Sequence, residues 1–318
     1  MKTEWIATNI PSQQGRRALI TGANSGIGWE AALELARHGA EIILPARTEA
    51  KANDAIARIL AQVPSAKLIP EILDLADLSS VHAFAARVVE MYPGRSLDLL
   101  INNAGVMAVP TRELTVDGYE RQFATNYLGP FALTALLFWS IKPQPGSRII
   151  TVASGVTNHA RIEFDNLQSQ RRYSPMLQAY SQSKLADLIF QQELQRRLTA
   201  IGSPILSTGA HPGYAITNLQ TSGPGEYIPL YMRMGMMMLK PFGSQDAAHG
   251  ALPTLFAATA PDAQPGGYYG PSGFQELKGH PVPAKITSAA KDIALAKRLW
   301  AESERLTGVT FGAISETA

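Results

Sequence analysis

Apolar residues along this chain fall into two periods. Short apolar runs read as strands: Arg16–Thr21, which is expected to be buried, Glu41–Leu44, Lys67–Ile72, Leu97–Ile101, Ser147–Ala153 and Ile205–Gly209. Between them lie segments whose apolar residues recur three and four positions apart, the spacing of an amphipathic helix. These are Trp29–Ala36, Thr48–Ala61, a segment capped by Asp77 or Ser79, the long stretch Gly118–Ile141, and Tyr180 to Gly202. The Asp77 segment is expected to turn Val81, Phe84, Val88 and Val89 inward. The Tyr180 segment carries Leu185, Leu188, Ile189, Leu194, Leu198 and Ile201 as its stripe, and Gly202 and Pro204 stop it. Pro130 falls inside the Gly118–Ile141 helix, where it removes a backbone hydrogen bond and predicts a local distortion. Tyr268-Tyr269 adds a seventh strand. The chain closes with an amphipathic helix over Ser288–Leu306 and a loose tail beyond Gly308. Strands of this length alternating with helices predict an α/β fold, a doubly wound parallel sheet of about seven strands with helices on both faces. No repeat and no linker interrupts the pattern, so one domain is expected over residues 1–318.

Composition narrows the function classes. Hydrophobic content of 46% and charged content of 17% are those of an ordinary globular protein, and a formal charge of +2 offers no basic field for nucleic acid or a membrane surface. The absence of cysteine removes disulfides, thiolate metal sites and cysteine nucleophiles. The six histidines are never at ligand spacing, so no metal site is expected. Met1–Ile6 is too polar for a signal peptide, and the apolar run Phe131–Trp139 is too short to span a bilayer. A cytoplasmic protein is the expectation.

Candidate chemistry gathers where such a sheet binds ligands, beyond the carboxyl ends of its strands. Gly22, Arg47, Asp74 and Asn103 all follow predicted strands. Gly22-Ala23-Asn24-Ser25-Gly26-Ile27-Gly28 joins the first strand to the first helix. In that frame glycines permit the tight turn and let the backbone approach a pyrophosphate at a helix N-terminus, which makes the sheet Rossmann-type. Tyr180 and Lys184 stand four apart and share a helix face. A phenol, with an unperturbed pKa of about 10, is a poor acid at neutral pH; a neighbouring ammonium favours the phenolate. Alone, such a pair is an ordinary half-buried tyrosine beside a lysine.

The ordered set changes that. Thr21-Gly22-x-x-x-Gly26-x-Gly28, Asn102-Asn103-Ala104-Gly105, Asn126, Ser154, Tyr180-x-x-x-Lys184 and Pro212-Gly213 resemble the short-chain dehydrogenase/reductase family over residues 16–310. The stretch Arg161–Leu167, between Ser154 and Tyr180, is similar to the branch of retinol dehydrogenases and protochlorophyllide reductases. The resemblance implies hydride transfer at a carbonyl. Tyr180 is the implied proton donor, Ser154 holds the carbonyl oxygen, and Lys184 binds the nicotinamide ribose and favours the tyrosinate. Asn126 holds a water leading from Lys184 to solvent. The dinucleotide would lie along Gly22, Asn24, Ser25, Gly26, Ile27 and Gly28, with Asp74 at the adenine and Asn103 at the adenosine ribose, and with Leu75, Ala104 and Gly105 among the residues that bind it. Pro212, Gly213 and Thr217 would meet the nicotinamide. An acid after the second strand binds the ribose hydroxyl of NAD; Pro45-Ala46-Arg47 stands there instead, so the expected cofactor is NADP(H).

The chain also departs from its relatives. The hydrophobic N-terminal segment of the membrane-anchored retinol enzymes is not seen, the pigment reductases use cysteine, and Tyr127 and Pro130 stand where related sequences often have histidines. Expectations for the rest are a small apolar carbonyl or alcohol substrate, no nucleic-acid or membrane partner, and a lid formed by the methionine-rich segment 218–243. A homodimer or homotetramer is expected through the helices around Phe131 and Leu188. Two other readings use the same residues: an epimerase or dehydratase, which usually needs a larger C-terminal domain, and a non-catalytic dinucleotide sensor, which has little reason to keep the Ser154–Tyr180–Lys184 set.

Overall fold

A computed structural model describes residues 4–215 and 245–317. Its centre is one eight-stranded sheet in the order β3-β2-β1-β4-β5-β6-β7-β8. The strands are β1 (Arg17–Ile20), β2 (Glu41–Ala46), β3 (Lys67–Ile72), β4 (Leu99–Asn102), β5 (Arg148–Val152), β6 (Leu206–Ala210), β7 (Tyr268–Pro271) and β8 (Pro281–Pro283). β1 to β7 run parallel, and β8 is an antiparallel edge strand. Prolines at both its ends suit an edge, where a missing N–H interrupts no ladder. β8 is the strand that the hydrophobic pattern does not announce.

Apart from the edge strand β3, whose residues are half-buried or exposed, the parallel strands are buried on both faces, which explains their apolar runs. Successive residues serve different cores. Leu19, Ile43, Leu100 and Ile149 point to one, while Ala18, Ile20, Ile42, Leu44, Leu99, Ile101 and Ile150 point to the other. On the second face lie α1 (Gly26–Arg37) and α2 (Glu49–Leu60), packed mainly through alanines such as Ala31, Ala32, Ala52 and Ala55. The first face is aromatic. It carries α3 (Leu78–Met91), a turn of helix α4 (Arg121–Phe123), α5 (Gly129–Leu137) and α6 (Ser181–Ala200). α7 (Ala247–Thr259) returns to the alanine face, and α8 (Ser288–Lys291) and α9 (Ile293–Thr307) cover the aromatic one.

Several expectations need correcting. Gly118 does not start a helix: it sits at φ +81° in a turn closed by a bond from its N–H to Thr115, and helix begins at Arg121. Val89 and Ile201 are exposed, 44% and 40%: Val89 lies off the buried face of α3, and Ile201 stands past the end of α6 as its C-cap. The tail beyond Gly308 is not loose. Phe311 is fully buried, its ring 4.6 Å from Trp300 and 5.3 Å from Phe131. That tail and the α8–α9 pair also cover the helices expected to form a two-fold interface, so Phe131 and Leu188 are core residues of their own chain. The C-terminal helix is broken at Asp292, which caps α9 by accepting from the Leu295 N–H. α7 went unanticipated because Gly250 and Pro253 interrupt its pattern. The proposed lid at 218–243 and Thr217 lie outside the described residues.

Candidate active site

Strand order reverses between β1 and β4, and the cleft opens at the carboxyl ends of those strands, as expected for an open α/β sheet. Thr21 ties the two ends together. Its hydroxyl oxygen accepts from the backbone N–H of Asn103 and of Ala104, each at 3.1 Å, while Asn103 Nδ2 donates to the Thr21 carbonyl at 2.9 Å. The glycines answer to space. A Cβ on Gly22, which sits at φ +70°, would meet Ala104 Cα at 2.8 Å; one on Gly28 would meet the Gly22 carbonyl oxygen at 2.5 Å. α1 starts at Gly26, and Ser25 at its N-cap makes no side-chain bond to the first turn. A ligand anion there would meet N–H groups that Ser25 has not capped.

The cleft encloses about 700 Å³. It brings together Gly22, Asn24, Ser25, Gly26, Ile27, Gly28, Arg47, Asp74, Leu75, Asn103, Ala104, Gly105, Tyr180, Lys184 and Pro212, all of them read from the sequence. Lys51, one turn into α2, joins Arg47 on its wall. Lys51 belongs to no motif, and a cation on a helix face is usually solvated; its position four residues after Arg47 was the available signal.

Three expected residues are not on the lining. Asn126 is buried in a π-helical segment, Ala124–Leu128. Its Oδ1 accepts from the Val106 N–H at 2.7 Å, and Nδ2 donates to the Val106 carbonyl and to Ser183 Oγ, both at 2.9 Å. Its amide oxygen and nitrogen are thus both engaged within the protein. Pro130, four residues on, brings no N–H to the Asn126 backbone carbonyl. Ser154 follows β5, half-buried, next to Ala153 on the cleft wall, and caps the turn Gly155–His159. Gly213 lies behind Pro212 at φ +63° and donates its N–H to His211 Nδ1 at 3.2 Å. His211 in turn meets Glu276 at 2.8 Å through Nε2, a contact unreadable from positions so far apart.

Tyr180 ends a second π-helical segment, Pro175–Tyr180, and leads into α6. It is 5% exposed, and its hydroxyl makes no hydrogen bond to another described residue, so it is available to a ligand in the cleft. Lys184 is 4% exposed and donates from Nζ to the Val152 carbonyl at 2.8 Å and to Asp187 Oδ2 at 2.9 Å. Burial, the largest single influence, would lower the Lys184 pKa; the Asp187 charge, the Tyr180 hydroxyl and the hydrogen bond to Asp187 together outweigh it, and the net direction is upward. Burial raises the Asp187 carboxyl from 3.8 to about 7, against the pull of Lys184. Asp187 was missed because it stands in the apolar run Leu185–Ile189 and belongs to no motif; an acid one turn after Lys184 in such a run was the signal.

The short chain dehydrogenase family profile matches residues 16–225. The chain belongs to this family. Among relatives, human retinol dehydrogenase 13 is 38% identical over 310 residues, covering 95% of this chain and 87% of the relative. Mouse polyprenol dehydrogenase is 36% identical over 309 residues, 95% and 87% covered. A protein of Mycobacterium paratuberculosis of known crystal structure is 42% identical with a TM-score of 0.78, covering 97% of this chain and 99% of that one. A short chain dehydrogenase from Burkholderia cenocepacia in complex with NADP is 25% identical with a TM-score of 0.60, covering 79% and 93%. The resemblance to the family's retinol dehydrogenase branch is thus borne out, and the protein is of an oxidoreductase family. No helix among the described residues is long and apolar enough to cross a membrane, and no group of metal-ligating side chains occurs among them.

Proposed function

We propose that the chain is an NADP(H)-dependent carbonyl reductase or alcohol dehydrogenase acting on an apolar ketone, aldehyde or secondary alcohol. The observation that carries this reading is the shared cleft: Tyr180 and Lys184 open onto the same space as the Gly22–Gly28 loop and Arg47. Gly22 and Gly28 leave room that a side chain would fill, which fits a dinucleotide, and Arg47 with Lys51 fits a ribose 2′-phosphate. When bound, the nicotinamide supplies or accepts the hydride.

On this reading Tyr180 gives its phenolic proton to the carbonyl oxygen as charge develops there. Ser154 donates a hydrogen bond to the same oxygen, and Lys184 holds the nicotinamide ribose. Asn126 fixes the backbone at Val106 and offers its own carbonyl for a proton-carrying water. Gly213, and Thr217 beyond it, support the nicotinamide. The substrate is apolar because relatives are named for retinol and polyprenol, and because Met107, Leu114 and Val116 form part of the wall, the last two 53% and 82% exposed. We read the chain as one Rossmann-type catalytic domain in the cytoplasm. A homodimer or homotetramer would use a surface other than the helices of Phe131 and Leu188.

The test is a panel of NADPH and NADH oxidation with apolar ketones and aldehydes, and of NADP⁺ reduction with retinol and polyprenols. NADPH should be preferred by roughly ten- to a hundredfold, the value of one charge-assisted contact to phosphate. Arg47→Asp should abolish or reverse that preference. Cofactor binding without turnover of any member would replace this reading with that of a dinucleotide sensor.

A further inference from the structure

Lys184 is a charged group with almost no contact with water, and a buried ammonium persists only when its N–H groups are partnered. Two of its three are: one meets the Val152 carbonyl at 2.8 Å and one meets Asp187 at 2.9 Å. Asp187 is itself 2% exposed, one turn further along α6 and facing away from the cleft lining. Among the described residues Lys184 is the one cation acting on it. The other titratable groups that feel its charge are Tyr127, whose hydroxyl pairs with Ser303 at 2.6 Å, and Tyr268 on β7. Both are buried phenols held neutral by desolvation. Tyr180 shares Lys184 with it from the cleft side.

We infer that Asp187 is a positioning residue for Lys184: its carboxylate anchors the ammonium from behind and leaves the third N–H directed at the cleft. Without that charge, desolvation would favour the neutral amine, a weaker donor to a ribose hydroxyl. The carboxyl of Asp187, shifted to about 7, ionises over the neutral range. The anchoring is therefore electrostatic above neutrality and only a hydrogen bond below it. The consequence for cofactor binding rests on the proposed role of Lys184.

Asp187→Asn keeps the shape and an acceptor oxygen and removes the charge. The first measurement needs no cofactor. In protein labelled with ¹³Cε-lysine, the Lys184 signal is assigned by its loss in Lys184→Met. In the parent it should titrate above the ordinary lysine value, and in Asp187→Asn measurably lower than in the parent. The second is the NADPH dissociation constant at pH 6 and pH 9. The ratio of variant to parent should rise about five- to tenfold between them, as a charge-assisted bond becomes a neutral one. Asp187→Glu should restore the parent behaviour in part. An unmoved lysine titration with a flat affinity ratio overturns the inference, since a purely structural role weakens binding equally at every pH. Should Asp187→Asn not fold, the smaller uncharged Asp187→Ser takes its place, and an unmoved lysine titration with a flat affinity ratio overturns the inference equally. Failure of every form to bind NADPH would refute the proposed function, while the lysine titration still decides the role of Asp187.

Discussion

The two ends of the cleft are built on opposite principles. At the Gly22–Gly28 end the structure works by leaving side chains out: Gly22 brings backbone to within contact of Ala104, and Gly28 to within contact of Asn103. At the Tyr180 end it works by burying polar side chains and pairing them. Asn126, Ser183, Lys184, Asp187, Glu193 and Arg197 are all below 5% exposed, four of them carrying charges. α6 is accordingly buried on every side, and Glu193 meets Arg197 at 2.7 Å, more than three turns beyond Tyr180. A site for a dinucleotide needs shape and oriented N–H groups, whereas proton transfer needs charges held where water cannot screen them. One end should therefore respond to added volume and the other to removed atoms.

The largest effect is expected at the polar end. Tyr180→Phe retains the ring and removes one hydroxyl, so fold and NADPH affinity should survive. Turnover should fall by about 10²–10⁴, the contribution of a positioned general acid. Ser154→Ala should lose a comparable factor, and the two losses should not add, because both groups act on one oxygen. Single-turnover NADPH oxidation with an accepted ketone, with cofactor affinity measured separately, checks this. A Tyr180→Phe enzyme within a few-fold of the parent would remove the proton-transfer half of the comparison.

At the glycine end the informative change adds a methyl group. In Gly28→Ala the new Cβ would collide with the Gly22 carbonyl and the Asn103 side chain, and the Asn103 amide cannot yield without opening its bond to the Thr21 carbonyl. Overpacking of this kind costs about 1–3 kcal/mol, and cofactor affinity should fall by roughly ten- to a hundredfold. Gly155→Ala is the control, since nothing lies within 4 Å of its added Cβ. Titration of NADPH binding by fluorescence separates the two; equal losses would show that the glycines act through flexibility rather than space.

The same contrast explains what was legible in the sequence. Strand, glycine loop and helix are local, so β1, α1 and the cleft glycines could be read from neighbours in the chain. So could the distortion before Pro130 and the identities of Tyr180 and Lys184. Contacts between distant segments could not. Asn126 binding Val106, Lys184 bonded to the Val152 carbonyl, His211 meeting Glu276, and Phe311 filling the aromatic core join residues from about 20 to 180 positions apart. Periodicity also fails where burial is complete. α6 has polar residues on buried faces, so its apolar stripe could not announce Asp187 or Arg197 as interior.

The smallest expected effect tests whether the glycine end is as local as it looks. Asp77 lines the cleft and caps α3, its Oδ1 accepting from the Ser79 N–H at 2.9 Å and the Ser80 N–H at 3.2 Å. A cap is a short-range device, and its loss typically costs about 1 kcal/mol. Asp77→Ala should lose that much in urea denaturation at pH 7, in the lower part of the range because the side chain is well solvated. Asp77→Asn keeps the acceptor and should lose only a few tenths, the share of the helix dipole. Its bonds to Ser79 hold the Asp77 pKa below its ordinary 3.8. Such a group contributes stability above the ordinary carboxylate range and loses it as pH falls through the folded value. The gap between parent and Asp77→Ala should thus close in acid, in the opposite sense to Asp187, whose raised pKa makes the parent lose stability as pH rises from about 4 to 7. A cost above about 3 kcal/mol for Asp77→Ala, unchanged by acid, would show that this end too depends on long-range burial.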